Sequence, residues 1–107
     1  MTLAEFKASL LAEFANADTE LDVPFMTLKI SNACDEVKRR RNYKASGYSD
    51  DQIEADIQEY ASNIRNVALY DYNQAGAEFE SAHSEIGINR SYTDRERLFV
   101  GVAPFVG

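Results

Sequence analysis

The sequence contains one histidine, His83, followed directly by Ser84. These are two residue types that serve as general base and nucleophile in hydrolases. In an extended segment, adjacent side chains point to opposite faces, so the two residues cannot share a proton there. A metal site built on His83 would need ligands of other residue types or from other chains. We therefore predict no catalytic residue and no cofactor, and expect that the protein is not an enzyme.

Two further residue types could also do chemistry. The carboxylates Glu78, Glu80 and Glu85 lie near the histidine, but their spacing matches no specific metal-binding pattern. Cys34 lies at helical spacing from core-type neighbours, which favours a small buried residue, with a reactive thiol as the alternative.

Charge is more informative than these residues, because it is clustered. Five cations and no acid lie between Lys38 and Lys44. They could pair with acids of a neighbouring subunit, pair within the chain, remain solvated or contact DNA phosphates. A group of acids follows, as either a solvated helix face or a channel-facing surface: Asp50, Asp51, Glu54, Asp56 and Glu59.

Two helices are predicted before the acidic group. Thr2 and Glu5 have the spacing of a capping box, which predicts a helix that runs to about Ala15. A second helix is predicted to begin near Asp22, with Pro24 in its first turn. It ends in the basic cluster, where cations complement the helix dipole.

The third predicted helix is the longest, running from Asp50 to about Tyr72 behind a capping box at Ser49 and Gln52. Its apolar stripe repeats at steps of four and three: Ile53, Ile57, Tyr60, Ile64 and Val67.

The helical pattern ends at Gly76. We predict an extended arm or β-hairpin over residues 77–92, and then a short helix broken by Gly101 and Pro104. The fold class is therefore mainly α: a small three-helix bundle with a long third helix, then this arm and a short C-terminal helix. Residues 1–75 form the helical core and residues 76–107 the arm of one globular domain. The apolar residues after Asp94 look like material that a partner buries.

Composition limits the classes of function. The chain has 107 residues and a formal net charge of -7, which argues for one domain and against a general nucleic-acid coat. No apolar run approaches the roughly 20 residues of a membrane-spanning helix, and no signal peptide is visible, so a cytosolic protein without a membrane partner is expected.

The run from His83 to Tyr92 reads HSEIGINRSY. It resembles the H-S-E-x-G-I-x-R-S-Y signature of the small head-tail connector proteins of tailed bacteriophages. The preceding stretches, Tyr70–Asn73 and Gly76–Glu78, and the proline-containing apolar tail are similar as well. The resemblance covers Asp50 to Pro104.

The resemblance implies a structural adaptor of the virion, assembled in the host cytoplasm. Its partners would be itself, as a ring of about a dozen copies, the portal protein, a stopper or completion protein on the tail side, and genomic DNA passing without sequence-specific binding. Two sets of residues are expected to matter. Subunit or portal contacts are expected from Lys38, Arg39, Arg40, Arg41, His83, Ser84, Glu85, Arg90, Tyr92, Leu98, Phe99 and Phe105. Channel-facing acids are expected among Asp50, Asp51, Glu54, Asp56 and Glu59.

A second hypothesis comes from a different class. A small helical DNA-binding or regulatory protein would use the Lys38 to Lys44 cluster as its phosphate-contacting patch.

Overall fold

A computed structural model describes the backbone of residues 1–78 and 95–106, and the side chains of residues 1–74 and 95–106. This part of the chain is mainly helical and contains no strand, which confirms the predicted fold class. The elements in chain order are α1 Leu3–Ala17, α2 Val23–Arg41, a 3₁₀ turn Tyr43–Ala45, α3 Asp50–Gln58 and α4 Ala61–Glu78.

The helices begin where their capping residues predict. The Thr2 hydroxyl accepts the Glu5 N–H at 3.1 Å, and the Glu5 carboxylate accepts the Thr2 N–H at 3.0 Å. Ser49 and Gln52 form the same reciprocal pair before α3. Before α2, the Asp22 carboxylate accepts the Phe25 N–H at 3.2 Å. Each cap provides a partner for a backbone N–H that the first helical turn leaves free.

Helix α2 ends at Asn42, whose φ of 54° places it in the left-handed region. Asparagine tolerates this conformation better than most residues. This turn lies inside the basic cluster, and Tyr43 directly after Asn42 is buried.

The predicted long third helix is divided in two, and this is a correction. The Glu59 and Tyr60 N–H groups bond to the Asp56 and Ile57 carbonyls, at 3.1 and 3.0 Å, in place of continuing the α-helical pattern. Helix α4 then packs mainly against α2, whereas α3 also contacts α1.

The core is a single apolar cluster between the helices. It includes three of the five residues in the stripe predicted for the third helix, Ile57, Ile64 and Val67. Its members are Phe6, Leu10, Phe14, Met26, Ile30, Ala33, Cys34, Val37, Tyr43, Ile57, Ile64, Val67, Ala68 and Phe99. Burial raises the pKa of the Cys34 thiol to about 11, so this cysteine is an inert core residue at neutral pH.

The C-terminal segment (residues 95–106) packs on the bundle. A helical turn at residues 95–97 is followed by turns up to Gly101, whose φ is 90°. Phe99 is 5% exposed within the core, while Phe105 is half-buried against it. The expectation that a partner buries this apolar tail is therefore wrong for Phe99, because the chain buries that ring itself. Val100 and Val106 remain exposed.

The predicted arm or hairpin falls mostly on residues 79–94, which lie outside the described residues. Helix α4 continues two residues past Gly76, to Glu78. In the described ranges, no helix combines the length and the hydropathy needed to cross a membrane.

Candidate functional site

The predicted contact residues that the structure describes meet at the C-terminal end of α2, where the C-terminal segment docks. Helical spacing divides the basic cluster there: Arg40 and Arg41 are partly buried, and Lys38 and Arg39 are exposed. Arg40, Arg41 and Arg95 together are called the arginine clamp below, because they hold the C-terminal segment on the bundle.

Arg95 binds two carboxylates from two helices. Its Nε and Nη2 donate to the Asp71 oxygens of α4 at 2.8 Å each. Its Nη1 and Nη2 donate to the Glu36 oxygens of α2 at 2.9 Å each. The three side chains are 15–21% exposed. Paired bidentate contacts of this kind fix the direction of the guanidinium plane as well as its position.

Arg40 joins the same cluster from α2. Its Nη2 donates to Glu36 Oε2 at 3.0 Å and to Glu96 Oε1 at 2.8 Å. Its guanidinium carbon lies 3.8 Å from the centroid of the Phe99 ring, and that of Arg95 lies 5.4 Å from it. The buried ring therefore has two cations against it, in the geometry of cation–π contacts.

Arg41 holds the end of the C-terminal segment. Its Nε donates to Asp56 Oδ2 at 2.8 Å, and its Nη1 donates to the Ala103 carbonyl at 2.6 Å. The guanidinium carbon lies 4.1 Å from the Phe105 ring centroid. The backbone contributes as well, since the Phe105 N–H donates to the Arg41 carbonyl at 2.8 Å.

Helix α4 provides a further contact. The Asn63 side-chain amide donates to the Leu98 carbonyl at 2.8 Å and to the Val100 carbonyl at 3.1 Å. Leu98 itself is half-buried against the core. Asn63 thus binds the backbone carbonyls of the two residues that flank Phe99 in the chain.

The electrostatics of the clamp favour the ionised forms. Burial raises the pKa of Glu36, but the hydrogen bonds and charges of Arg95 and Arg40 outweigh it, and the net pKa is lowered. The same balance lowers the pKa of Asp56, where Arg41 and Tyr43 outweigh burial. The hydrogen bond to Asp71, followed by that to Glu36, raises the pKa of Arg95. These acids and bases therefore stabilise one another's charge.

Asp56 is not a channel-facing acid, which corrects that part of the prediction. Its carboxylate accepts from Arg41 and, at 2.7 Å, from the Tyr43 hydroxyl, and its side chain is 14% exposed. The other predicted acids keep access to solvent. Asp51, Glu54 and Glu59 line an open groove between α1 and α3, and Asp50 is exposed.

Of the four alternatives for the basic cluster, the structure shows pairing within the chain for Arg40 and Arg41. Lys38 and Lys44 are exposed and form no ion pair with a described residue. The remaining predicted contact residues, His83, Ser84, Glu85, Arg90 and Tyr92, lie outside the described residues.

Sequence reasoning missed the partners of the clamp. Glu36 is four residues before Arg40, a spacing that predicts a helical ion pair and was available as a signal. Asp71, Arg95 and Asn63 gave no such signal, because their partners are 24 to 59 residues away in the chain.

The contacts of the arginine clamp bind the C-terminal segment to the helices of the same chain. Every buried side-chain nitrogen and oxygen among the described residues has a hydrogen-bond partner. Among the same residues, no group of His, Cys, Asp and Glu is arranged to hold a metal ion. The clamp is saturated by its own chain, so its direct role is to fix the C-terminal segment. Comparisons with protein-family models, with curated proteins and with solved structures find no match to this chain.

Proposed function

We propose that this protein is a structural head-tail connector of a tailed bacteriophage. It would form a ring that docks on the portal protein and continues the DNA channel toward the tail. The observation that carries the proposal is the HSEIGINRSY run at residues 83–92, which resembles the signature of that family. The run lies between a long helix and an apolar, proline-containing tail, as in the connectors it resembles.

The contacts on either side of this run support a binding role. Arg95 follows the run by three residues and is fixed to Asp71 of α4, the helix that precedes the run. The two flanks of the signature are therefore joined to each other and, through Glu36, to α2. A recognition segment with fixed flanks loses less conformational entropy on binding.

The charge of the surface is compatible with a DNA conduit. A channel that grips phosphate with Lys and Arg would retard the DNA that must slide through it. A chain with a net charge of -7, repeated around a ring, gives an acidic assembly that repels DNA. The exposed or half-exposed acids Asp50, Asp51, Glu54 and Glu59 are available for such a surface.

The proposal is tested by mixing the purified protein with the portal protein of the same phage and imaging the complexes by electron microscopy. The expected result is an added ring on the tail-proximal face of the portal, with density continuous around a central channel. A chain that stays monomeric at high concentration and binds no portal would overturn the proposal. Absence of rings without portal would not, because adaptors can assemble on the docking surface.

The DNA-binding hypothesis makes a different quantitative prediction. For duplex DNA, the logarithm of the affinity falls with the logarithm of salt concentration by about 0.9 per neutralised phosphate. Three exposed cations would give a slope of about −2.7, and five would give about −4.5. With Arg40 and Arg41 engaged internally, we expect gel shifts to show no binding near physiological salt. Tight binding with a slope near the larger value would favour the DNA-binding hypothesis instead.

A further inference from the structure

Outside the arginine clamp, two of the places that carry exposed charge are of opposite sign. The first is called the cationic end of α2 and is made of Lys38 and Arg39, in the last turn of α2, and Lys44, in the 3₁₀ turn that follows. Lys38 and Lys44 are exposed without an ion pair to any described residue, and the Arg39 side chain is 74% exposed, 3.8 Å from Glu36.

The second place is the acidic groove, an open cleft of about 720 Å³ between the start of α1 and the outer face of α3. Four carboxylates line it: Glu5, Asp51, Glu54 and Glu59. Glu5 caps α1. The other three form no ion pair with a described residue. The four carboxylates outnumber the one positive charge of the Met1 amino group, which also lies at this groove, so among the described residues the groove is acidic.

Helix α3 separates the two places. Asp51, Glu54 and Gln58 follow one another at steps of three and four, so they share the face that lines the groove. Asp56 lies on the other side of this helix, where it binds Arg41 at the end of α2. The groove and the contact of α3 with the end of α2 therefore lie on opposite sides of α3.

Two different surfaces of opposite sign are what a head-to-tail contact requires, because each subunit then uses one surface toward each neighbour. A two-fold contact would instead bring the same patch of both copies together. We propose that the cationic end of α2 of one copy docks in the acidic groove of the next copy. The proposal deepens the proposed function, on which it rests for the closed ring, and names the partner of each surface as a second copy of this chain.

The test uses two charge-reversed variants of the full chain. Lys38→Glu with Lys44→Glu makes the cationic end acidic. Asp51→Lys with Glu54→Lys and Glu59→Lys leaves Glu5 as the one carboxylate of the four that line the groove and makes the groove basic. Each variant alone would juxtapose like charges at every subunit contact. Because like charges that face each other across a contact oppose association, ring formation on the portal should weaken at least about a hundredfold.

An equimolar mixture of the two variants gives the decisive measurement. Alternating copies would again place acids against bases at every contact, so rings should reappear in the mixture when neither variant forms them alone. A matched control, Asp18→Lys with Glu20→Lys, reverses two exposed acids outside both surfaces and should assemble like the original chain. Circular dichroism checks that each variant is folded.

The outcomes separate this inference from the proposed function. If the original chain forms rings on the portal and both variants do so equally well, the contact is wrong and the connector role stands. If the variants fail alone and the mixture also fails, the contact is likewise wrong. If the original chain forms no ring and binds no portal, the connector role and the contact both fail.

Discussion

Phe99→Ala is expected to lower the free energy of unfolding by about 3–5 kcal/mol, the usual cost of removing a buried aromatic ring. The ring is 5% exposed and carries contacts from the guanidinium groups of Arg40 and Arg95. A small domain has a total stability of only about 5–15 kcal/mol. Much of the fold therefore depends on one residue of the C-terminal segment, and urea denaturation followed by circular dichroism measures the loss.

Val100→Ala is the matched control, because this neighbouring side chain is 75% exposed. Its effect should stay within about 0.5 kcal/mol. Removal of residues 95–107 should be at least as harmful as Phe99→Ala, since it also deletes the partner of Asp71. A truncated chain that unfolds cooperatively at the original urea concentration would show that the C-terminal segment is not part of the core.

Glu36→Gln has the second largest expected effect. The carboxylate accepts two hydrogen bonds from Arg95 and two from Arg40, with 15% of its side chain exposed. A neutral amide of the same shape leaves both guanidinium groups without this charge. We expect the free energy of unfolding to fall by about 1–3 kcal/mol. Glu96→Gln removes the other carboxylate of Arg40, but its side chain is 45% exposed, so a much smaller loss than that of Glu36→Gln is expected.

The pH dependence of stability follows from the same residue. The folded-state pKa of Glu36 is below its ordinary value of 4.5, so its stabilising contribution is complete above that pH. The contribution is lost as the pH falls below 4.5 toward the lowered value. Urea denaturation between neutral and acidic pH should show this loss, and Glu36→Gln should make the loss smaller. An unchanged acid dependence in Glu36→Gln would contradict the assignment.

Local signals in the sequence were sufficient for most of the helical framework. The capping residues Thr2, Asp22 and Ser49 each accept the backbone N–H of the residue three positions later, and helices α1, α2 and α3 begin where they indicate. The break at Glu59 and Tyr60 has no such signal, since neither glycine nor proline marks it. Helix α4 packs mainly on α2, whereas α3 contacts both α1 and α2, and packing between distant parts of the chain leaves no mark in the local sequence.

The docking of the C-terminal segment could not be predicted either, because it too depends on contacts between distant parts of the chain. An apolar residue such as Phe99 needs burial, but its type does not say whether its own chain or another chain provides it. The ion pair of Arg41 and Asp56 joins residues 15 positions apart, across the turn at Asn42. Their charges were visible in the sequence, whereas the direction of that turn was not.

The span of the arginine clamp along the chain has a kinetic consequence. Arg95 joins residues 24 and 59 positions before it, and contacts of such separation form only after a large loop-closure entropy has been lost. We expect the C-terminal segment to dock late in folding, after the helices have met. Interactions that form late chiefly slow unfolding and contribute little to the folding rate. We therefore expect the clamp to act chiefly on the unfolding rate, which sets how quickly the C-terminal segment detaches from the bundle.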